Sequence, residues 1–267
     1  MLTNYHTHST YCDGKSAPEE VVLSALNKGF AAIGFSGHAG FVAGGKTYRK
    51  TNIGGYIREI HRLQEKYKQD IQIYCGIEED HFAQVERQRF RYMIGSVHYM
   101  YKDGKYLSID GGETYFQECI TAFGGDPLVF AEAYFREFCE YIGKRKPDII
   151  GHFDLITKFE EKMPVGLMEN ETYCAMAERY ITEAAKSGCI FEVNTGAISR
   201  GWRTAPYPQE NLLHVLKKLD APIILNADSH HADTIDCHFA EARALLRDVG
   251  IRETVVLYND AFQKVSL

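Results

Sequence analysis

The sequence has no CxxC pair, no long basic tract and no apolar stretch approaching the length of a membrane span. Its seven cysteines (12, 75, 119, 139, 174, 189 and 237) are odd in number and dispersed. That argues against a disulfide framework and for reduced thiols in the cytoplasm. No basic region followed by an apolar run opens the chain, so no secretory signal is visible. Charged residues make up 25% with a net charge of −6, which weighs against a surface that coats nucleic acid. Low-complexity segments, linkers and internal repeats are also missing. The expectation is a cytoplasmic protein with neither a membrane nor a nucleic-acid partner; the sequence does not express its oligomeric state.

What is present is alternation. Short apolar runs at Leu2–Tyr5, Ala32–Phe35, Ile71–Cys75, Tyr92–Val97, Ile149–Gly151, Ile190–Val193 and Pro222–Leu225 read as strands. Helical patterns fall at Pro18–Lys28, Ile53–Tyr67, Pro127–Ile142, Glu171–Lys186, Glu210–Leu219 and His238–Asp248. Ser16 with Glu19 and Pro18 looks like a helix-starting box. Strands alternating with helices imply a mostly parallel α/β sheet. Nearly every strand is followed by a potential ligand, which suggests closure into a barrel that gathers such residues at one face. The stretch Tyr99–Asp126 carries a Lys102-Asp103-Gly104-Lys105 turn and two glycine pairs. It reads as a hairpin and a covering loop, either a lid or an edge decoration.

The chemistry starts five residues in. His6 and His8 sit at i and i+2 at a strand's end, on one side, with Asp13 shortly after. His38, Glu78, His98, His152, Asp228 and His230 each follow a short apolar run. A lone histidine after a strand is more often structural. This many imidazoles and carboxylates gathered together would be costly unless neutralised, and divalent metals do that. Nitrogen and oxygen donors without clustered cysteine suit zinc, iron or manganese in an open catalytic site. His61, His214 and His238 lie in helical patterns and read as surface or packing residues, while His81 and His231 stay undecided.

In order, His6-Thr7-His8 with Asp13-Gly14, Gly37-His38, Gly76-Ile77-Glu78, Gly95-Ser96-Val97-His98, Gly151-His152 and Asp228-Ser229-His230 resemble the motifs of the polymerase and histidinol phosphatase (PHP) superfamily. The resemblance implies a single metallophosphoesterase domain over 1–267, a distorted seven-stranded (β/α)7 TIM-like barrel and two or three divalent metal ions. It assigns His6, His8, Glu78 and Asp228 to one ion, Glu78, His98 and His152 to a second, and Asp13, His38 and His230 to a third. Glu78 would bridge the first two, and Glu79 beside it is expected to be a salt-bridged surface residue. Gly151-His152-Phe153-Asp154-Leu155-Ile156 with Lys158, and Glu192-Val193-Asn194-Thr195-Gly196-Ala197 with Arg200 and Arg203, resemble the histidinol-phosphate phosphatase branch.

That branch implies hydrolysis of a small phosphomonoester, L-histidinol phosphate, in histidine biosynthesis. Arginine's planar fork suits phosphate oxygens, so Arg200, then Lys158, then Arg203 are the expected substrate-binding cations, one of the three being only structural. Asp80 and His81 are the expected proton-transfer residues for the leaving alcohol. Tyr99, Tyr101, Tyr115 and Trp202 are candidate surfaces for the substrate's imidazole, against a stronger expectation of ordinary packing. Rival readings are a phosphoesterase for nucleotides or phosphotyrosine, a metal-dependent amidohydrolase, and a non-catalytic metal protein. Fold alone separates none of them.

Overall fold

All seven apolar runs form strands: β1 Thr3–Asn4, β2 Ala32–Phe35, β3 Gln72–Asp80, β4 Tyr92–Ser96, β5 Ile149–Ile150, β6 Ile190–Asn194 and β7 Ile223–Asn226. The computed structural model describes residues 1–49 and 51–267. The strands pair in parallel in sequence order from β1 to β7. Outside them run α1 Pro18–Asn27, α2 Ile53–Lys66, α3 Glu113–Ala122, α4 Pro127–Arg145, α5 Glu171–Ala185, α6 Glu210–Lys218 and α7 Phe239–Val249.

The seam between β1 and β7 brings the sheet close to a full barrel. It is made by side chains and backbone together: the His8 amide donates to Ser229 O at 2.8 Å and the Ser229 amide to His6 O at 3.0 Å. The Tyr5 amide donates to Asn226 Oδ1 at 2.8 Å and the Ala227 amide to Asn4 Oδ1 at 3.0 Å. Beyond them Thr7 and Ser229 form a single parallel bridge. Both asparagines are fully buried, where an unpaired donor is expensive. Asn226→Ala is therefore expected to destabilise the protein by about 2–3 kcal/mol in urea unfolding. A loss below about 0.5 kcal/mol, the range of a neutral surface change, would show that the Thr7–Ser229 bridge holds the seam alone.

Inside the barrel, Tyr5, Tyr74, Tyr92, Ile94, Ile149 and Ile224 pack together. A side chain on Gly76 would meet the Tyr92 ring at 2.2 Å, and one on Gly34 would meet its hydroxyl at 2.4 Å. Those two glycines are spaces for the tyrosine. A C-terminal antiparallel hairpin, Glu253–Tyr258 with Ala261–Ser266, closes the floor. Val255, Val256 and Leu257 join the interior cluster, and Tyr5 Oη donates to Leu257 O at 2.6 Å.

Two local expectations change. Ser16 does not cap α1. Ala17 takes the cap position and its amide donates to Glu20 Oε2 at 2.7 Å, while Ser16 Oγ accepts from the Ala232 amide. The Tyr99–Asp126 stretch does open with a hairpin, Tyr99–Lys102 with Lys105–Ser108. Its remainder is mostly helix α3, which buries Phe116, Cys119 and Ile120 on one face. A second short hairpin, Phe41–Ala43 with Lys46–Tyr48, stacks against the first through Phe41, Tyr48, Tyr99 and Tyr106. Tyr99 therefore belongs to a packed aromatic cluster.

Candidate metal centre

Every expected donor sits at the carboxyl ends of the strands. β3 is nine residues long and carries Glu78 in its last turn of pairing. His38 lies opposite it in parallel register. His6 and His8 follow β1, His98 follows β4, His152 follows β5, and Asp228 and His230 follow β7. Asp13, His38, Glu78, His98, His152, Asp228 and His230 border a cavity of about 240 Å³ whose walls also include Arg49, Asp110, Lys158 and Arg200. More voluminous open depressions lie against α3, about 900 Å³, and near Asn259 and Asp260, about 730 Å³, but neither gathers a comparable set of donors.

Glu78 is the hub. His98 Nε2 and His152 Nε2 each lie 3.2 Å from its Oε1, and His6 Nε2 lies 3.4 Å away. On the other oxygen, His38 Nδ1 is at 2.7 Å and His8 Nε2 at 3.5 Å. His8 Nε2 is also 3.3 Å from Asp228 Oδ1. Among the described residues, donor atoms converge in four overlapping sets: His6, His8 and Asp228; His6, Glu78 and His152; His38, Glu78 and His98; and His8, Asp13, His38 and His230. Among the described residues, His6 Nε2, His8 Nε2 and Glu78 Oε2 are buried with no hydrogen-bond partner. Buried polar atoms rarely go unsatisfied, so the donors around Glu78 fit bound cations.

The electrostatics agree with that fit. Burial pushes the Glu78 carboxyl up, yet His6, His98 and His38 overcome it and hold the group well below the usual carboxylate range. Burial and Arg49 press His98 down, and Glu78 and Asp80 carry it up to about 9. Carboxylates stand behind two of the rings, as is common for metal-bound histidines. Asp80 Oδ2 lies 3.3 Å from His98 Nδ1, and Glu192 Oε1 lies 2.7 Å from His6 Nδ1.

Of the expected proton-transfer pair, neither residue borders the cavity. Asp80 accepts from the amides of His98 and Phe82 and sits behind His98. His81 lies farther back, between Asp80 and Glu137, at 3.5 and 3.4 Å. Of the expected phosphate-binding cations, Lys158 and Arg200 border the cavity. Arg203 does not; its side chain is fully buried, donating to Thr157 Oγ1 at 2.9 Å and stacking on Tyr207. A side chain on Gly196 would meet Asp228 and the Arg200 guanidinium at 2.8–2.9 Å, so glycine there permits their contact. Glu79 is not a surface residue. Strand alternation turns it away from Glu78, into full burial against Arg145 and Tyr141. Trp202 packs on Phe159 and Tyr115 is exposed.

Sequence reading missed Arg49, Asp110 and the role of Glu192. The first two follow hairpins and have no periodic signal. Glu192 lies within a stretch singled out above, and as a buried strand carboxylate it carried a legible hint.

A sequence model of the PHP domain family matches residues 4–196. A protein of Schizosaccharomyces pombe named as a probable histidinol-phosphatase is 27% identical over 273 residues, covering 94% of this chain and 88% of that one. The histidinol-phosphatase of Bacillus subtilis is 25% identical, covering 86% and 94%. The histidinol phosphate phosphatase of Lactococcus lactis, solved with zinc, L-histidinol and phosphate, superposes with a TM-score of 0.73 at 23% identity, covering 98% of both chains. That likeness shows a shared fold.

Proposed function

The chain belongs to the PHP domain family, and on that premise we propose that it hydrolyses L-histidinol phosphate to L-histidinol and inorganic phosphate, a step of histidine biosynthesis. The carrying observation is a floor of unsatisfied imidazole and carboxylate donors under a small cavity walled by Arg49, Lys158 and Arg200. Metal-binding donors facing a ring of cations match a phosphate dianion. The substrate's identity rests on the named relatives. In this reading 1–267 acts as one domain on a small molecule in the cytoplasm.

His6, His8, Glu78 and Asp228 would hold one divalent ion, and Glu78, His98 and His152 a second, whether zinc, manganese or iron. Ions held there supply Lewis acidity to the phosphoryl group and lower the pKa of the attacking water. Arg200 is pinned by Asp228, donating to Oδ2 and to the backbone oxygen at 2.9 Å each. Its charge faces the cavity in a fixed place, suited to the spreading charge of phosphoryl transfer. Lys158 donates to Asp110 O at 2.8 Å. Burial lowers its pKa against the pull of Asp110, which makes it a readier proton donor to the leaving alkoxide than a surface lysine. Asp80 and His81 act from behind His98, by orienting it.

The test is phosphate release from L-histidinol phosphate beside nucleoside monophosphates and phosphotyrosine, with enzyme loaded with manganese or zinc. The expected result is a kcat/KM for L-histidinol phosphate at least about 100-fold above the others, a preference of about 2.7 kcal/mol. Better turnover of another ester would keep the phosphatase reading and change the substrate. No turnover of any, with metals verified bound, would favour an amidohydrolase or a non-catalytic protein.

A further inference from the structure

His6, His8 and His98 all turn Nε2 toward Glu78, and two of them have a carboxylate at the opposite nitrogen. His6 has Glu192 and His98 has Asp80. His8 differs. Among the described residues, the carboxylate nearest its Nδ1 is that of Asp13, at 3.7 Å. Asp13 in turn faces His38 Nε2 at 3.3 Å and His230 Nε2 at 3.5 Å, the third group of donors. What stands at His8 Nδ1 is sulfur: Cys12 Sγ, at 3.5 Å. A thiol sulfur is a weak acceptor, and this separation is within its reach.

The backbone places that sulfur firmly. The segment after His8 folds back on itself, the Cys12 and Gly14 amides both donating to Ser9 O, at 2.9 and 3.1 Å. A side chain on Gly14 would meet the Ser9 amide at 2.4 Å, so the turn closes only around glycine. At its far end the Lys15 amide donates to His230 O at 2.7 Å, which ties the turn to the loop after β7. Cys12 Sγ donates to Ser9 O at 3.5 Å. Its hydrogen is thereby directed away from His8, and its lone pairs are left for the imidazole. Cys119, Cys139 and Cys174 likewise give their hydrogens to backbone oxygens, of Ser108, Tyr180 and Met168. Cys12 adds to that bond a contact with a histidine of the centre.

We propose that Cys12 is the positioning residue of His8: its sulfur accepts the Nδ1 hydrogen and holds Nε2 toward Glu78 and Asp228. The inference rests on the reading of these donors as a metal centre. His8 Nε2 lies 3.5 Å from Glu78 Oε2 and 3.3 Å from Asp228 Oδ1, buried and without a hydrogen-bond partner among the described residues. Two consequences follow. Asp13 is relieved of orienting His8, so both its oxygens remain for the donors it shares with His38 and His230. The acceptor is also neutral. Glu78, Asp228 and Asp13 already gather at this place, and a further carboxylate would add repulsion and make His8 a more basic donor. Sulfur fixes the tautomer without that charge.

The experiment is zinc affinity by chelator competition on the full chain, for wild type, Cys12→Ala and Cys12→Ser, beside urea unfolding of the metal-free forms. Cys12→Ala is expected to bind zinc about tenfold more weakly, the low end for loss of a group behind a metal ligand. Cys12→Ser is expected to stay within about threefold of wild type, because a hydroxyl also accepts from Nδ1. An alanine variant with unchanged zinc affinity, whatever its stability, would overturn the proposal. So would a serine variant as weak as alanine, since the sulfur would then serve by its volume. Should the alanine variant fold poorly, the wild type decides alone: nitrogen NMR of the zinc-loaded chain must find the His8 ring hydrogen on Nδ1, and a bare Nδ1 would overturn the proposal. Substrate turnover does not enter these measurements. A chain that binds zinc in this way and hydrolyses no phosphomonoester would sink the functional reading and leave this one standing.

Discussion

Glu78→Gln is expected to lower kcat for phosphomonoester hydrolysis by about 10³-fold or more, equivalent to about 4 kcal/mol of lost transition-state stabilisation. The reason is how many partners meet at one group. Five imidazoles reach its two oxygens within 3.5 Å, and Ser96 Oγ donates to Oε1 at 2.7 Å. Glutamine keeps the shape, but it removes the charge and turns one acceptor into an amide donor among imidazole nitrogens. It could not bridge two ions. Elemental analysis of the purified variant should show at least one ion lost, which separates this effect from a merely misplaced substrate. A fully metallated variant with more than about a tenth of wild-type kcat, a loss under about 1.4 kcal/mol, would remove Glu78 from the bridging position.

The second large effect is on stability as well as on metal. Glu192→Ala is expected to destabilise the protein by about 3–5 kcal/mol and to weaken zinc binding about 10–100-fold. Glu192 is 1% exposed and serves four donors from separate parts of the chain. Oε1 takes His6 Nδ1 at 2.7 Å and Asn226 Nδ2 at 2.9 Å; Oε2 takes the His152 amide and Asn194 Nδ2, both at 2.9 Å. Truncation leaves all four without an acceptor in a dry interior. It also frees the His6 ring, whose Nε2 is presented to the metal side only while Nδ1 is engaged. Urea unfolding and zinc titration check the two parts separately. A variant within about 1 kcal/mol of wild type would mean that water replaces the carboxylate there.

The barrel and its donors were legible because both signals are periodic or local. Ala32–Phe35 is a continuous apolar strand and Ile223–Asn226 is apolar up to its last residue, both buried on both faces as parallel strands are. The donors that follow such runs needed only the rule that loops at one end of a barrel converge. The C-terminal hairpin was missed although its signal was present. Asn259 and Asp260 adopt φ of 48° and 56°, the conformation that such turn residues accept readily. Helix α3 was hidden by the glycines on either side of it, despite Phe116, Cys119 and Ile120 at helical spacing. Arg49, Asp110 and the burial of Glu79 are different in kind. Arg145, the partner of Glu79, is 66 residues away, and Asp110 is 61 residues from Arg49. Nothing local in an acidic Glu-Glu-Asp run or a Tyr-Arg pair distinguishes a buried ion pair from a solvated one.

The asparagine seam has a bearing on how this protein is made. His6 and His8 leave the ribosome more than 200 residues before Asn226 and Asp228, which face them across the seam. A nascent chain can lay down α/β units from the amino end, but its first two histidines have no opposite wall until β7 emerges. Throughout that interval the start of the barrel is an unpaired strand edge beside exposed imidazoles, open to wrong pairing and to stray metal. Cells short of free zinc or manganese would then hold finished chains whose donors met late and empty-handed. Chaperone retention of arrested chains ending before β7, compared with chains ending after it, would expose that window.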